Sequence, residues 1–252
     1  MRLYHTQLCS SDIGKYVLLP GNPDRVEAMA QYLENPRFVM RNREYCTWNG
    51  EIAGQTVSIV STGIGGPSAA IALEELIELG AHTFIRTGTC GMIQPNSQRG
   101  DLFIPTGCVR GGGTTLAYVP VQYPAVAHPE LVQALKQAAK RYTHRAFLGI
   151  TECKDAFYLE TPEKLPLCQQ AQDQWRTWER AQVLATEMES DTLFVIASIR
   201  NVRAASVLFG LGSCDGVVAM DPMTQAETEC LSKTGIEALR ICMKNDSSAL
   251  NS

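Results

Sequence analysis

The stretch Thr83-Phe84-Ile85-Arg86-Thr87-Gly88-Thr89-Cys90-Gly91 has the composition of an anion cradle. An apolar run delivers an arginine, whose guanidinium fork matches two oxygens of a phosphate or carboxylate. The Gly-Thr-Cys-Gly that follows offers backbone N–H groups and a hydroxyl. The chain repeats the arrangement. Tyr16-Val17-Leu18-Leu19 runs into Pro20-Gly21-Asn22-Pro23-Asp24-Arg25, and Val57-Ser58-Ile59-Val60 runs into Ser61-Thr62-Gly63-Ile64-Gly65-Gly66-Pro67-Ser68. Taken singly, Arg25 and Arg86 read by default as halves of ordinary salt bridges. Three junctions from apolar strand to glycine loop together point to a small anionic ligand at the strand C-termini.

A second constellation is Thr186-Glu187-Met188-Glu189-Ser190, two carboxylates flanking a methionine at the mouth of an apolar helix. Acids in a first helical turn complement the helix dipole. A carboxylate there also suits a sugar cis-diol, because two O–H donors meet one acceptor-only group and bind more tightly as positive charge develops on the ring. Cys90 within Gly-Thr-Cys-Gly suggests a nucleophile elbow, but Met92 stands where the closing glycine belongs and no Cys/His partner is evident.

The elements that must carry these groups alternate between strand and helix. Helices are expected over Pro67–Gly80, Pro129–Arg141, Asp191–Asn201 and about Thr224–Met243, with strands at Thr83–Arg86 and Ala204–Phe209. The pattern predicts one α/β domain over residues 1–244 with a mixed, mostly buried sheet, followed by a polar C-terminal tail over 245–252. Gly111–Pro129 reads as a long surface loop. Tyr158–Glu179, with Trp175 and Trp178, reads as a lid or specificity insert. A length of 252 residues with 45% hydrophobic content supports one large core, and a net charge of −4 argues against nucleic acid or an anionic membrane as partner. The start Met1-Arg2-Leu3-Tyr4-His5 is no signal peptide. Nine cysteines without a Cys-x-x-Cys pair or a Cys/His cluster suggest free thiols in a reducing cytoplasm rather than zinc or disulfides.

Together the loops at Pro20–Arg25, Ser61–Ser68, Arg86–Gly91 and Glu187–Ser190 resemble, in order, the uridine phosphorylase branch of the nucleoside phosphorylase family. The similarity is collinear from about Tyr4 to Arg203. It implies a three-layer α/β/α fold and a pentosyltransferase that splits a uridine-like nucleoside with phosphate into base and ribose 1-phosphate. It also implies a homo-oligomer, usually a hexamer built from dimers, with no redox cofactor or catalytic metal. By the resemblance, Gly21, Arg25, Arg86 and Thr89 hold phosphate, and Arg43 is lent from the neighbouring subunit. His5 is donated across the same interface to the ribose 5′-hydroxyl. Met188 and Glu189 hold the ribose, and Cys90, Gly91 and Phe157 lie at the base. Glu44, Ile64 and Ser68 match positions that bind a monovalent cation such as K+ between subunits in some members. Arg86 and Glu189 would be the catalytic groups.

The sequence departs from the pattern at the base. Uridine phosphorylases read uracil with a Gln and an Arg after a Phe-Tyr pair; here Thr161 and Glu163 stand at those base-binding positions. An acceptor carboxylate at Glu163 would favour a base edge rich in N–H groups. The family's later Asn-Arg pair is replaced by Gly210-Leu211-Gly212-Ser213-Cys214-Asp215, and Asp215 is a candidate acid for protonating a purine-type leaving base, or merely a cap for the next turn. Alternatives to a uridine-type enzyme are therefore a purine-type phosphorylase or a nucleosidase on the same fold, or a nucleoside-binding relative without turnover. Retained arginines weigh against the nucleosidase, since water needs no such cradle.

Overall fold

The computed structural model describes residues 1–143, 145–213 and 221–250. Its strands are β1 (Tyr16–Pro20), β2 (Glu34–Asn42), β3 (Tyr45–Ile52), β4 (Gln55–Val60), β5 (Thr83–Met92), β6 (Leu102–Arg110), β7 (Ala125–Val126), β8 (Ala146–Cys153), β9 (Ala185–Glu187) and β10 (Arg203–Ser213). The helices are α1 (Asp24–Ala30), α2 (Gly66–Glu78), α3 (Pro129–Tyr142), α4 (Cys168–Arg180), α5 (Ser190–Ile199) and α6 (Gln225–Leu250). All described strands join one mixed sheet, in the order β10-β6-β8-β9-β5-β1-β4-β3-β2 with β7 beside β6. Because β10 also pairs with β5 along its length, the strands β5, β9, β8, β6 and β10 close into a ring from which β1, β4, β3 and β2 extend.

Helices cover both faces, as the alternation predicts. α1, α3 and α6 pack together on one side, and α2 packs with α5 on the other. β1 is buried at all five positions, which is why it reads as a continuous apolar run rather than an alternating one. α2 starts at Gly66-Pro67, with proline supplying a helical φ where no N–H is needed. No described helix is long and apolar enough to cross a membrane.

Three segments differ from the sequence expectation. The Gly-Thr-Cys-Gly stretch is not a loop: β5 runs on to Met92, because β10 pairs with it in parallel from Thr83 to Met92 and β9 pairs with Gly91 and Met92 on the opposite edge. Its N–H groups are thus partly spent in the sheet, and its contribution to a cradle shifts toward side chains. The lid-like Tyr158–Glu179 contains α4, a helix so polar that only Ala171 is buried. The polar tail does not begin at residue 245. α6 continues to Leu250, pinned where Asp246 takes Arg203 Nη1 at 2.8 Å and Tyr16 Oη at 2.7 Å.

Candidate active site

The C-terminal ends of β1, β4, β5 and β9 and the N-terminus of α5 surround one cleft of about 680 Å³. The four glycine and carboxylate motifs of the sequence meet there. Gly21, Arg25, Arg86, Thr89, Cys90 and Gly91 all line it, as do Met188 and Glu189.

Arg86 lies on the buried part of β5 and is 4% exposed. Its Nε donates to Glu187 Oε2 at 2.9 Å, and its Nη2 donates to Glu189 Oε2. The guanidinium folds back over its own strand, where Gly88 makes the room: a Cβ at Gly88 would sit 2.8 Å from Nη2. The third nitrogen, Nη1, is buried and has no hydrogen-bond partner among the described residues. It faces the same space as Arg25, since a Cβ built at Gly21 would lie 3.8 Å from both Arg86 Nη1 and Arg25 Nη2. Burial, and then the charge of Arg86, push the Arg25 pKa down to about 10. Two guanidiniums with unspent donors converge on one glycine; Glu189 offsets part of their mutual repulsion, and an oxyanion placed between them would offset more.

The carboxylates divide their work. Glu187 accepts Ser190 N–H at 2.7 Å, Glu189 N–H at 3.1 Å and Cys153 Sγ–H at 2.7 Å, in addition to Arg86. Burial alone would raise its pKa, but Arg86 and these donors outweigh burial and hold it below the ordinary carboxylate value. Glu187 therefore fixes Arg86 in place. Glu189 Oε1 accepts Gly65 N–H at 2.6 Å, and Gly65 reaches that position with φ +88°, a conformation that L side chains rarely adopt. Burial pushes the Glu189 carboxyl up, against the pull of Arg86. Behind both, burial and the Glu187 charge push the Asp191 carboxyl up to about 7.

Glu44, Ile64 and Ser68 also share the cleft wall; Ser68 Oγ lies 2.9 Å from Glu44 Oε1 and 2.5 Å from Thr62 O, and its one hydroxyl proton serves one of these two acceptors. His5 and Arg43 do not line this cleft. His5 is held on the surface of α2 by Glu75, with Nδ1 2.8 Å from Oε1, and its carbonyl accepts Asn42 Nδ2–H at 2.6 Å. Arg43, next to Asn42 at the β2–β3 turn, is exposed. The two thus share one surface beside the cleft without entering it. Asp215 lies outside the described residues.

At the far end, Phe157 lines the cleft at 47% exposure, whereas Thr161 and Glu163 are exposed and do not line it. Glu160 lines it instead, 7% exposed, with Oε1 accepting Lys154 Nζ–H at 2.6 Å. Neither Glu160 nor Lys154 figures in the sequence reading. The signal that could have found them is the charged run Glu152-Cys153-Lys154-Asp155 closing a strand, since β8 ends beside β9 just as the other ligand-bearing strands end.

A family model described as the phosphorylase superfamily matches residues 15–238. The uridine phosphorylase of Treponema pallidum (strain Nichols) is 43% identical over 246 residues, covering 97% of this chain and 95% of that protein. The uridine phosphorylase of Escherichia coli (strain K12) is 37% identical over 212 residues, 81% of this chain and 83% of that one. The guanosine phosphorylase of Halorubrum lacusprofundi is 36% identical over 203 residues, 81% and 80% of the two chains.

Proposed function

The chain belongs to the phosphorylase superfamily, and from that premise we propose that it is a nucleoside phosphorylase of the uridine phosphorylase type. Such a pentosyltransferase passes the pentose of a nucleoside from its base to phosphate. The observation that carries this reading is the buried, unpartnered Nη1 of Arg86 facing Arg25 across Gly21.

Breaking an N-glycosidic bond builds oxocarbenium character on the ribose. Arg25 and Arg86, with Thr89 and the backbone at Gly21, would hold phosphate below C1′, where its charge first stabilises the cation and its oxygen then attacks. Glu189 accepts from the ribose diol and adds negative charge beside the developing cation, with Met188 against the sugar. Holding nucleophile and electrophile in line, within preorganised charges, supplies most of the rate. No side-chain nucleophile is required, so Cys90 acts as part of the wall. Electrons of the broken C–N bond leave with the base, which takes up a proton.

The arginine pair disfavours hydrolysis, and the retained Arg25, Arg86, Thr89 and Glu189 together disfavour a binder without turnover. Base choice has two supports that point apart: uridine phosphorylase relatives at 35–43% identity, and a guanosine phosphorylase at 36%. The decisive experiment is cleavage of a nucleoside panel with and without phosphate. Cleavage should require phosphate and release ribose 1-phosphate; equal rates in phosphate-free buffer with free ribose as product would make it a nucleosidase.

His5 and Arg43, side by side on the surface through the Asn42 contact, support donation to a neighbour's cleft. We therefore expect a dimer, or a hexamer built from dimers. Arg43→Ala should raise the phosphate KM about tenfold with Tm unchanged, as expected for an exposed residue; a fully active monomer by sedimentation would end this reading. At the same interface, the carboxylate, hydroxyl and carbonyl oxygens of Glu44, Ser68 and Ile64 suit a hard monovalent cation such as K+. The reducing cytoplasm fits the cysteine content.

A further inference from the structure

Among the described polar atoms lining the cleft, Arg86 Nη1 has one counterpart of opposite character. Glu160 Oε2 is a buried carboxylate oxygen with no hydrogen-bond partner among the described residues. Its residue shares a single 3-10 turn with Phe157, and side chains three apart on such a turn eclipse, so both face the cleft. The turn is anchored: Trp175 Nε1 donates to Leu159 O at 2.8 Å. The carboxylate is anchored too. Lys154 Nζ holds Oε1, donates to Thr186 Oγ1 at 2.6 Å, and lies 5.5 Å from the Trp175 ring centre; Thr186 in turn donates to Glu152. An acceptor fixed this firmly, with one oxygen unmatched among the described residues, is disposed to take a donor from a bound ligand.

We propose that Glu160 reads the nucleobase. Its Oε2 accepts the ring N–H that stands beside a carbonyl on the base edge, N3–H of a uracil-type pyrimidine or N1–H of a 6-oxopurine, while Phe157 covers the ring. Cytosine- and adenine-type bases present a bare nitrogen lone pair at that place, so two acceptors would oppose each other and both would stay unpaired. A site built around one hydrogen bond rejects such a ligand strongly. The reading function thus sits one residue before Thr161, and Lys154 is a positioning residue that aims Glu160. The inference rests on the nucleoside phosphorylase reading for its substrate class.

The test measures kcat/KM at saturating phosphate for two pairs, uridine against cytidine and inosine against adenosine, in the wild type, Glu160→Gln and Glu160→Ala. The wild type should favour the N–H member of whichever pair it accepts by about 10²-fold or more. Glu160→Gln, whose amide can also donate, should reduce that ratio at least tenfold with the phosphate KM unchanged. A ratio that survives both substitutions would overturn the proposal, whatever happens to absolute rates. Calorimetric binding of the same nucleosides to the wild type keeps the two readings apart. Absence of turnover sinks the phosphorylase reading, whereas equal binding of uridine and cytidine, and of inosine and adenosine, sinks the role of Glu160.

Discussion

Arg86→Lys should lower kcat/KM for phosphate by about 10²- to 10³-fold while the nucleoside KM moves only a few fold, the scale of losing one preorganised oxyanion donor. The charge is kept and the geometry is not. Arg86 uses Nε on Glu187 and Nη2 on Glu189, and only its planar fork leaves Nη1 over for the space beside Gly21. A lysine ammonium is a single point with three donors on a flexible stem and cannot reach two fixed carboxylates and an anion at once. The competing account is that Arg86 merely neutralises two buried acids. Disrupting a buried ion pair destabilises by about 3–5 kcal/mol when a partner is lost outright, so on that account Tm falls and the remaining folded enzyme keeps its phosphate KM. Steady-state kinetics in phosphate, measured beside a thermal melt, separates the two.

How far the sequence reaches is best judged from Arg86 and Glu160. The glycine junctions after β1 and β4 and the acids before α5 are local signals, tied to a few adjacent residues, and they mark three walls of the cleft. Gly88 makes room for Arg86 only because both lie on an extended strand, and that strand continues because β10 pairs with it from over a hundred residues away. Glu187 reads in the sequence only as one of two acids at a helix mouth; its hydrogen bonds with Arg86, Cys153 and the α5 backbone are contacts across elements that spacing does not encode. The Lys154–Glu160 pair was hidden for a related reason. Glu160 sits in a polar stretch, and its turn is anchored by α4 through Trp175 Nε1 and Leu159 O, though the sequence of α4 is too polar to announce a packed helix. The end of α6 likewise looks like a solvated tail until Asp246 meets Arg203 and Tyr16.

Glu189→Gln should lower kcat/KM for a ribonucleoside by about 10²-fold. The substitution preserves the shape of the side chain and removes its charge. It also removes an acceptor: the carboxylate takes Gly65 N–H on one oxygen and Arg86 on the other, and a glutamine amide can satisfy only one of them. Part of the loss could therefore come from disordering Gly65 or Arg86 rather than from the sugar. A 2′-deoxynucleoside distinguishes the sources, because it lacks one of the two hydroxyl donors that the carboxylate would accept. If Glu189 stabilises the oxocarbenium ion through the diol, the penalty is larger for the ribonucleoside than for the deoxynucleoside, and it appears in kcat. If Glu189 only holds Gly65 and Arg86, both sugars lose equally and the phosphate KM rises with them. A loss below threefold for the ribonucleoside would make it a helix-end acid with no part in the reaction.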